Sequence, residues 1–502
     1  MKIFQKRGGI FYSKILYSLQ ENILSGKEFF MSGFCSELAR KIEAAGQSHL
    51  LRYFDGLDAD SKKKLSEQLA EINWENIPAL AADYVLKRPE TAIPADLSPA
   101  EYYRLQGNDE LFARAEALGK ELLKQGKVCC LTVAGGQGTR LGFDAPKGTY
   151  PIGPVTERSL FEYFASSILR MSEKYGTKIP WYIMTSPINR AATEAFFRKN
   201  NFFGLDEADL FFFTQGTMPA FGLDGKLLLS AKDSLALSPD GHGGTLLALR
   251  RSGALDKMKK DGTTVVSYFQ VDNPLVDVVS PRFAGLLALE NAEVGAIVLT
   301  KTGPYEKLGN FCVSNGRTQI IEYSDLPATL AEKRNADGSL QYSAGSPAIH
   351  VFSREFIERL TAGNSLQLPW HRADKKIPVL DEQGNPYTPD EPNGVKLESF
   401  IFDALPMAEK VVLLEGDRSE VFAPTKNLTG VDSVESCRRM ISERNARRLE
   451  WAGVTIPRNA DGSVDAVIEI DPRTVCDDED AVMLVEKAGI KAVAPGEKAV
   501  IG

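Results

Sequence analysis

The sequence predicts an α/β fold, in which a mainly parallel or mixed central sheet carries helices on both faces and smaller domains precede and follow it. From Lys127 onward, short runs rich in β-branched and aromatic residues alternate with runs of helical periodicity. This alternation is typical of strands joined by crossover helices. At 502 residues, the chain also exceeds the size at which one hydrophobic core usually stops growing.

The elements of the central domain are predicted in order from their hydrophobic periodicity. The predicted strands are Val128 to Ala134, Trp181 to Thr185, Leu210 to Phe213, Val265 to Val271 and Val294 to Leu299. The predicted helices contain Leu160, Phe161, Phe164, Ile168 and Met171, then Ala192, Phe196 and Phe197 behind an Asn189 cap, then Phe283 and Leu286 behind Pro281. Sheets of this kind bind ligands at the carboxyl ends of their strands.

Shifts in these patterns predict the domain bounds. Residues 1–30 are expected to be an extension, because they contain only broken apolar pieces with Lys and Arg; a targeting leader is the alternative. Residues 31–126 form a helical N-terminal region, which includes a helix behind a cap at Ser61. Residues 127–430 are expected to form the central α/β domain, and residues 431–502 a small C-terminal domain.

The charge and cysteine content narrow the possible partners and location. With 59 Lys and Arg against 67 Asp and Glu, the net charge is −8, so we expect no nucleic-acid partner. No apolar stretch approaches the roughly 20 residues that a membrane helix needs, so we expect no membrane partner. The six cysteines lack CxxC spacing. We expect reduced core residues, with Cys129 and Cys130 on opposite faces of a strand, in a cytoplasmic protein.

The most informative segment begins at Leu131 and reads LTVAGGQGTRLG, followed by Pro146-Lys147-Gly148. An apolar strand leads directly into glycines, which let the backbone approach a ligand and offer N–H groups to phosphate or to a base edge. The segment fits neither the dinucleotide GxGxxG pattern nor the GK[ST] of a P-loop. So many glycines behind a buried strand are costly unless something approaches them, which argues against an ordinary turn.

This segment resembles the signature of the eukaryotic-type UDP-sugar pyrophosphorylases, LxxAGGQGTRLGxxxPKG, and within that family it is most similar to the N-acetylglucosamine enzymes. The match runs with few gaps from the helical lead-in to Asn427. Further stretches agree in order: Gln215 to Ala220, Ser238 to Gly244, Val271 to Asn273, Glu322 to Ser324, Lys375 to Pro378, Asn393 to Lys396 and Pro424 to Asn427.

The resemblance implies a nucleotide-diphospho-sugar transferase fold of the GT-A-like type and assigns roles to residues of this sequence. The implied catalytic, phosphate-binding residues are Arg140, Lys147 and Lys426. The implied nucleotide-binding residues are Gly135, Gly136, Gln215, Gly241 and His242. The implied sugar-binding residues are Gly309, Glu322, Ser346 and Lys396, and Asp272 is the implied ligand of Mg²⁺.

Several of these residues also have a physical reading of their own. Gln215 could pair its amide with a uracil edge, although a glutamine in a loop is usually only solvated. The turn before Leu246 could present a helix N-terminus to the nucleotide, or it could be only a helix cap. Asp272 follows an apolar strand, where a carboxylate can hold Mg²⁺ between phosphates; an ordinary strand-end turn is the alternative.

The implied reaction is attack by a sugar 1-phosphate on the α-phosphorus of UTP, which yields a UDP-sugar and pyrophosphate. A sugar phosphate is already ionised near neutral pH, so no general base is needed. Catalysis then depends on aligning two polyanions and neutralising charge, which Arg140, Lys147, Lys426 and Mg²⁺ would do.

The identity of the sugar is less sharply indicated. In the N-acetylhexosamine enzymes the stretch that forms the sugar pocket resembles NAGNIANH, and this chain has Ser346 in place of the asparagine that follows the glycine. A second stretch of those enzymes reads GNGG, and in this chain His242 replaces its asparagine. We expect N-acetylglucosamine 1-phosphate from the overall match, with glucose 1-phosphate or galactose 1-phosphate as the alternative. A UDP-sugar sensor without turnover is an alternative of another class, because residues of the site and not the fold decide function.

Overall fold

The computed structural model describes residues 37–88, 93–381 and 383–502. The predicted extension at 1–30 lies outside the described residues. The chain forms two compact units. The smaller unit combines the described residues up to 88 with Thr217–Pro239 and Trp370–Glu398, and the larger unit contains the rest.

The strands are numbered here in chain order. The first eleven are β1 Ser98–Pro99, β2 Val128–Val133, β3 Trp181–Thr185, β4 Leu210–Thr214, β5 Thr217–Pro219, β6 Phe221–Gly222, β7 Leu229–Ala231, β8 Ser234–Leu235, β9 Leu237–Pro239, β10 Val265–Gln270 and β11 Val294–Thr300. The others are β12 Gly309–Ser314, β13 Arg317–Ile321, β14 Ala344–Ser346, β15 His350–Ser353, β16 His371–Lys375, β17 Val379–Leu380, β18 Pro386–Tyr387, β19 Gly394–Glu398, β20 Val411–Glu415, β21 Ala466–Ile470 and β22 Glu497–Ile501.

The α-helices are numbered in the same way, beginning with α1 at 37–44. They continue with α2 Ala59–Ala70, α3 Ile77–Leu80, α4 Asp109–Lys124, α5 Leu160–Tyr175, α6 Arg190–Lys199, α7 Gly244–Arg251, α8 Ala254–Lys260, α9 Pro281–Leu289, α10 Ala328–Ala331, α11 Arg354–Leu360, α12 Arg418–Val421, α13 Val434–Trp451 and α14 Asp478–Ala488. Within the described chain, none of these helices has the length and apolar character needed to cross a membrane.

The larger unit is organised around one mixed sheet. Its strands lie in the order β1, β12, β14, β11, β15, β10, β2, β3, β4, and β13 and β20 pair with β12 and β11. The four strands from β10 to β4 are mutually parallel, whereas β15 is antiparallel to both of its neighbours. The prediction of a mixed sheet is confirmed. Parallel pairing also occurs on the other side of β15, where β20 pairs with β11.

Helices cover both faces of this sheet, as predicted. One face packs against α4, α5, α6, α9 and α13 and includes the buried Cys130. The other face packs against α7, α8 and α11 and includes the buried Cys129. The opposite orientations of these adjacent cysteines are therefore confirmed, and the five described cysteines are free thiols. Cys35 lies outside the described residues.

The smaller unit has its own core, and one detail of its prediction is wrong. Ser61 does not cap α2. The helix begins at Ala59 behind Asp58, whose carboxylate accepts a hydrogen bond from the Ser61 N–H at 2.8 Å. Asp58 is the cap because its carboxylate accepts a hydrogen bond from an N–H group in the first turn, and its negative charge complements the helix dipole.

The predicted domain bounds stay a prediction, and the two compact units divide the chain differently. The smaller unit takes two segments from within 127–430, because β19 pairs with both β6 and β16. Such pairings between distant segments leave no signal in composition. Residues 431–502 belong to the larger unit, although they contain a separate small core between α13, α14 and the parallel pair of β21 and β22.

A buried glutamate docks this C-terminal part onto the loop before α5. Glu469 is fully buried. Its carboxylate accepts hydrogen bonds from the Val155 N–H at 2.8 Å, the Thr156 N–H at 2.7 Å and the Tyr163 hydroxyl at 2.8 Å. A buried charge is tolerated only when its hydrogen bonds are satisfied, so this docking contributes to the stability of the larger unit.

We expect Glu469→Gln to lower the free energy of unfolding by about 3 kcal/mol, because its NH₂ group would face N–H donors and leave them unsatisfied. Tyr163→Phe removes one neutral donor and is expected to cost about 1 kcal/mol. Urea denaturation followed by circular dichroism measures both changes, with the exposed Glu486→Gln as control. Equal urea midpoints for wild type and Glu469→Gln would contradict the docking role.

Candidate functional site

The carboxyl ends of the four parallel strands lie at one edge of the sheet. The ladder continues one residue beyond the strands, since the N–H groups of Ala134, Gln215 and Val271 donate to backbone carbonyls at 2.8, 2.9 and 3.1 Å. The chain order reverses between β2 and β10, because β3 and β4 follow β2 on one side and β10 pairs on its other side. Such a switch point is where α/β sheets bind ligands.

The glycine segment follows β2 at this edge and folds back on itself. The Gly138 N–H donates to the Ala145 carbonyl at 2.9 Å, and the Lys147 N–H donates to the Gly136 carbonyl at 3.1 Å. These bonds place Arg140 at the exposed tip of the loop and return Lys147 to its base. Gly142 has a φ of +67°, which favours glycine at the turn.

Asn189 holds this loop, a role that the sequence did not reveal. Its side-chain NH₂ group donates to the Ala134 carbonyl at 2.9 Å and to the Gly136 carbonyl at 3.3 Å, and its Oδ1 accepts from the Ser186 N–H at 2.8 Å. Asn189 does lie at the predicted N-cap position of α6, but its side chain makes no cap hydrogen bond there. The position is confirmed and the capping role is wrong, because the Oδ1 that would accept a capping hydrogen bond accepts one from the Ser186 N–H instead.

The glycines of the loop serve different purposes. A Cβ on Gly138 would lie 2.8 Å from Phe143, and one on Gly148 would lie 2.2 Å from Phe161, so the packing of the chain itself requires these two. A Cβ on Gly135 would lie 2.3 Å from the Gln215 Oε1, whereas one on Gly136 would meet no described atom within 4 Å. The inference that a ligand must approach so many glycines was therefore too broad.

Gln215 and Asp240 form a buried pair beside the loop. Gln215 is 7% exposed and follows β4 directly. Burial raises the pKa of the Asp240 carboxyl to about 6, while a hydrogen bond from the Gln215 side chain and the charge of Arg251 oppose the rise. The buried Asp240 Oδ1 accepts no hydrogen bond from any residue that the structure describes. Sequence reasoning missed Asp240, although an aspartate amid glycines just before a helix was a signal.

The turn at Gly241 and His242 is fixed by the segment at 399–401. Gly241 has a φ of +86°, and the predicted helix follows as α7. The His242 Nδ1 accepts a hydrogen bond from the Ile401 N–H at 3.2 Å, and its ring stacks on Phe400 with centroids 5.2 Å apart. Because Nδ1 is the acceptor, the neutral ring carries its proton on Nε2.

The structure brings Lys147 and Asp272 together across the switch point. The Lys147 Nζ lies 3.6 Å from an Asp272 carboxylate oxygen, with 17% and 13% of the two side chains exposed. One residue comes from the loop after β2 and the other follows β10. The pair therefore joins the two strands between which the chain order reverses.

Lys426 reaches the same region through the backbone. The Thr425 N–H donates to the Asp272 carbonyl at 2.8 Å. The Asn273 side chain binds the preceding residues, donating to the Val421 carbonyl at 2.7 Å and accepting from the Ala423 N–H at 2.9 Å. Asn273 is thus a second positioning residue, and the sequence indicated it only as part of a stretch that matches the family. The Lys426 Nζ lies 3.7 Å from Asp432.

Arg140 differs from these two lysines. In the described part of the chain, its guanidinium makes no hydrogen bond or ion pair with a protein group. An exposed guanidinium at the tip of a loop is available to fork two N–H groups onto phosphate oxygens.

Three of the four predicted sugar residues lie close together, two of them on strands of the sheet and the third, Glu322, directly after β13. Gly309 on β12 is paired with Ser346 on β14. A Cβ on Gly309 would lie 3.3 Å from the Glu322 Oε1, so the carboxylate reaches over this glycine. Lys396 lies on β19 of the smaller unit, opposite Ala373.

A magnesium ion would find a suitable oxygen ligand at Asp272. Mg²⁺ is usually bound through one or two carboxylates plus substrate phosphates, and the Asp272 carboxylate stands at the strand ends with few protein partners. Within the described residues, one group of three possible ligands lies elsewhere, at Cys476, Asp477 and Asp480. Arg170 binds Asp480 through two hydrogen bonds of 2.9 and 2.6 Å, so this group is an ion-pair network.

Comparison with known proteins agrees with this geometry. The sequence model of the UTP–glucose-1-phosphate uridylyltransferase family matches residues 65–447. The human UDP-N-acetylhexosamine pyrophosphorylase-like protein 1 is 35% identical over 87% of this chain and 92% of its own length. The UDP-N-acetylglucosamine pyrophosphorylase of Saccharomyces cerevisiae is 35% identical over 82% of this chain and 90% of its own length.

A solved structure extends the agreement to the fold. A protein of Entamoeba histolytica assigned as a UDP-N-acetylglucosamine pyrophosphorylase superposes with a TM-score of 0.72 at 30% identity, over 81% of this chain and all of its own. The resemblance carried by the glycine segment is thereby confirmed. The chain belongs to the UTP–glucose-1-phosphate uridylyltransferase family.

Proposed function

We propose that this protein is a uridylyltransferase that converts UTP and a sugar 1-phosphate into a UDP-sugar and pyrophosphate, with N-acetylglucosamine 1-phosphate as the preferred sugar. The names of the yeast and Entamoeba relatives support this choice of sugar. We also propose that it acts in the cytoplasm, because its five described cysteines are free thiols, which persist in reducing compartments.

The observation that carries the proposal is the Lys147 and Asp272 pair at 3.6 Å. A cation from the glycine loop and a carboxylate from the neighbouring strand stand at the switch point, where α/β sheets take their ligands. Gln215 and Gly135 lie in contact beside this loop. Such a site offers a base-reading edge and phosphate-binding groups at one edge of the sheet.

The reaction needs alignment and charge neutralisation from the chain. A phosphate oxygen of the sugar 1-phosphate forms a bond to the α-phosphorus of UTP, and the bond from that phosphorus to the β-phosphate oxygen breaks. Pyrophosphate leaves with the electron pair. Lys147, Arg140 and Lys426 would hold the phosphates in line and offset the charge that develops in the transition state.

Asp272 would serve this reaction in two ways. Its carboxylate orients the Lys147 ammonium at the base of the loop, and it is the residue that would hold Mg²⁺. When bound, that ion would neutralise charge on the phosphates.

The predicted sugar pocket contains a carboxylate that could contact the sugar. Glu322 reaches over Gly309, where it could accept hydrogen bonds from sugar hydroxyls. The Ser346 hydroxyl already accepts from the Ala348 N–H at 3.4 Å and is shorter than the asparagine of the N-acetylhexosamine enzymes. This serine, together with His242, favours glucose 1-phosphate or galactose 1-phosphate as the second candidate.

Pyrophosphate release from UTP with a panel of sugar 1-phosphates tests the proposal. We expect kcat/KM for N-acetylglucosamine 1-phosphate to exceed that for glucose 1-phosphate and galactose 1-phosphate by roughly tenfold or more, because a pocket that hydrogen-bonds an acetamido group rejects sugars without it. A higher kcat/KM with glucose 1-phosphate would show that glucose 1-phosphate is the preferred sugar, as the second candidate function states. Binding of UDP-sugars without any pyrophosphate release would identify a sensor instead.

For Arg140→Lys we expect a loss of activity although the charge is kept, because lysine presents a point charge in place of a two-pronged donor. If Arg140 acts in the transition state, kcat and kcat/KM both fall, on the order of 10² to 10³. Steady-state kinetics with the exposed Arg114→Lys as matched control measures this. An increase in KM at constant kcat would limit the role of Arg140 to UTP binding. Unchanged values of both constants would show that Arg140 is not part of the site.

For Asp272→Asn we expect kcat to fall on the order of 10², with partial recovery at high Mg²⁺ concentration, because an amide is a poorer ligand and no longer pairs with Lys147. EDTA is expected to abolish activity of the wild type. The measurement is kcat as a function of Mg²⁺ concentration, with thermal melting as the control for folding. Full activity of the mutant at low Mg²⁺ would leave Asp272 with only its role in the strand-end turn.

A further inference from the structure

A cavity of about 530 Å³ lies within the larger unit, apart from the candidate site. Its walls are formed by residues of α4, α5, α9, α12, α13 and α14 and of the segments beside them. Among the described residues that line it, none is a predicted nucleotide, sugar, phosphate or metal ligand of the candidate site. The volume falls within the range of pockets that hold small molecules.

Two arginines on α13 reach this cavity from positions one helical turn apart. Arg444 and Arg448 both line its wall, and residues at this spacing lie on the same face of a helix. The Arg444 Nη1 donates to the Leu275 carbonyl at 2.9 Å and to the Glu420 carbonyl at 3.2 Å. The Arg448 Nε lies 3.9 Å from a carboxylate oxygen of the exposed Asp478. The other guanidinium nitrogens of the two residues donate no hydrogen bond within the described chain, so several donors are available to a ligand.

The two guanidinium charges lie close together and away from bulk water. Burial, together with the nearby charge of Arg448, lowers the pKa of Arg444 to about 10. Arg444 is nevertheless a cation at neutral pH, because this pKa still lies well above neutrality. Two neighbouring charges of the same sign in a partly buried position cost free energy, and a bound anion offsets that cost.

Most acidic residues of the cavity wall are paired with other cations. Glu116 pairs with Lys120, Glu415 with Arg104, Glu420 with Arg447, and Asp477 and Glu479 with Lys174. Asp277 differs, because its carboxylate makes no hydrogen bond or ion pair with any residue that the structure describes. Burial raises the pKa of this carboxyl, and the charges of Arg448 and Arg444 oppose the rise. Asp277 is thus near enough to interact electrostatically with the two arginines but forms no ion pair with either.

We propose that this cavity is a binding site for an organic phosphate, whose phosphate group is held by Arg444 and Arg448. A guanidinium binds phosphate oxygens through two parallel N–H groups, and two guanidinium charges match the charge of a dianion. The apolar side chains of Met171, Val276 and Phe283 also line the cavity, and they would pack against the organic part of the ligand. The site is additional to the transfer reaction proposed above, since the two share no ligand-binding residue.

Replacement of Arg448 tests the proposal, because the long contact with Asp478 is a minor part of the fold. Titration calorimetry with phenyl phosphate as the probe measures the dissociation constant, Kd, on the full chain, with UDP-N-acetylglucosamine present at saturation to occupy the candidate active site. We expect Arg448→Gln to raise the Kd by roughly tenfold or more, because a charge-assisted hydrogen bond is lost. Arg439→Gln, on the exposed side of the same helix, should leave the Kd unchanged. An unchanged Kd for Arg448→Gln, or no binding by the wild type, would overturn the proposal.

Asp277→Asn provides a test in the opposite direction. Loss of the negative charge near the two arginines is expected to lower the Kd for phenyl phosphate by roughly threefold or more. A variant that folds poorly would not bind the probe more tightly, so damage to the fold cannot produce this result. An unchanged or higher Kd for Asp277→Asn would contradict the proposal.

Two further probes define the class of ligand. Inorganic phosphate lacks the organic part, and benzoate lacks the second charge, so both are expected to bind more weakly than phenyl phosphate. Equal affinity for inorganic phosphate would overturn the assignment of an organic ligand. Equal affinity for benzoate would overturn the assignment of a phosphate.

Discussion

The parallel pairing of β10 with β2 is the constraint on which the site depends. Six residue pairs, from Val265 opposite Val128 to Gln270 opposite Val133, bring the two strands to the same edge of the sheet. The glycine loop and Asp272 begin one or two residues later, so the 3.6 Å approach of Lys147 to Asp272 follows from this register. A shift by one residue would turn the side chains of β10 to the other face of the sheet and displace Asp272, which follows this strand.

The regular parts of the larger unit could be predicted because each depends on its own residues. Strand β3 spans the predicted Trp181–Thr185, and α9 begins at the predicted Pro281. The smaller unit could not be predicted in the same way. It is assembled from three separate segments through pairings such as β6 with β19, and only the folded chain brings such segments together.

The candidate site shows the same division. Motifs identified the residues whose chemistry faces outward, and the structure brings Lys147 and Asp272 together, and Gly309 with Glu322 and Ser346. The supporting residues escaped notice because their roles depend on spatial neighbours. Asn189 binds the carbonyls of the glycine loop, Asn273 binds the segment before Lys426, and Asp240 fills the space left by two glycines. The available signal was their place in the sequence, since Asn189 and Asp240 precede predicted helices and Asn273 follows a predicted strand.

The charges of the site are balanced in a way that suits exchange of ligands. Lys147 lies near Asp272 and Lys426 near Asp432, at 3.6 and 3.7 Å, and all four side chains remain partly exposed. Ion pairs of this kind contribute roughly 0 to 1 kcal/mol. Phosphates can therefore bind either lysine with little loss of free energy, because the weak ion pair with a carboxylate is replaced by a charge-assisted hydrogen bond to the phosphate. The acidic partners thus keep the lysines oriented without competing strongly with a polyanionic substrate.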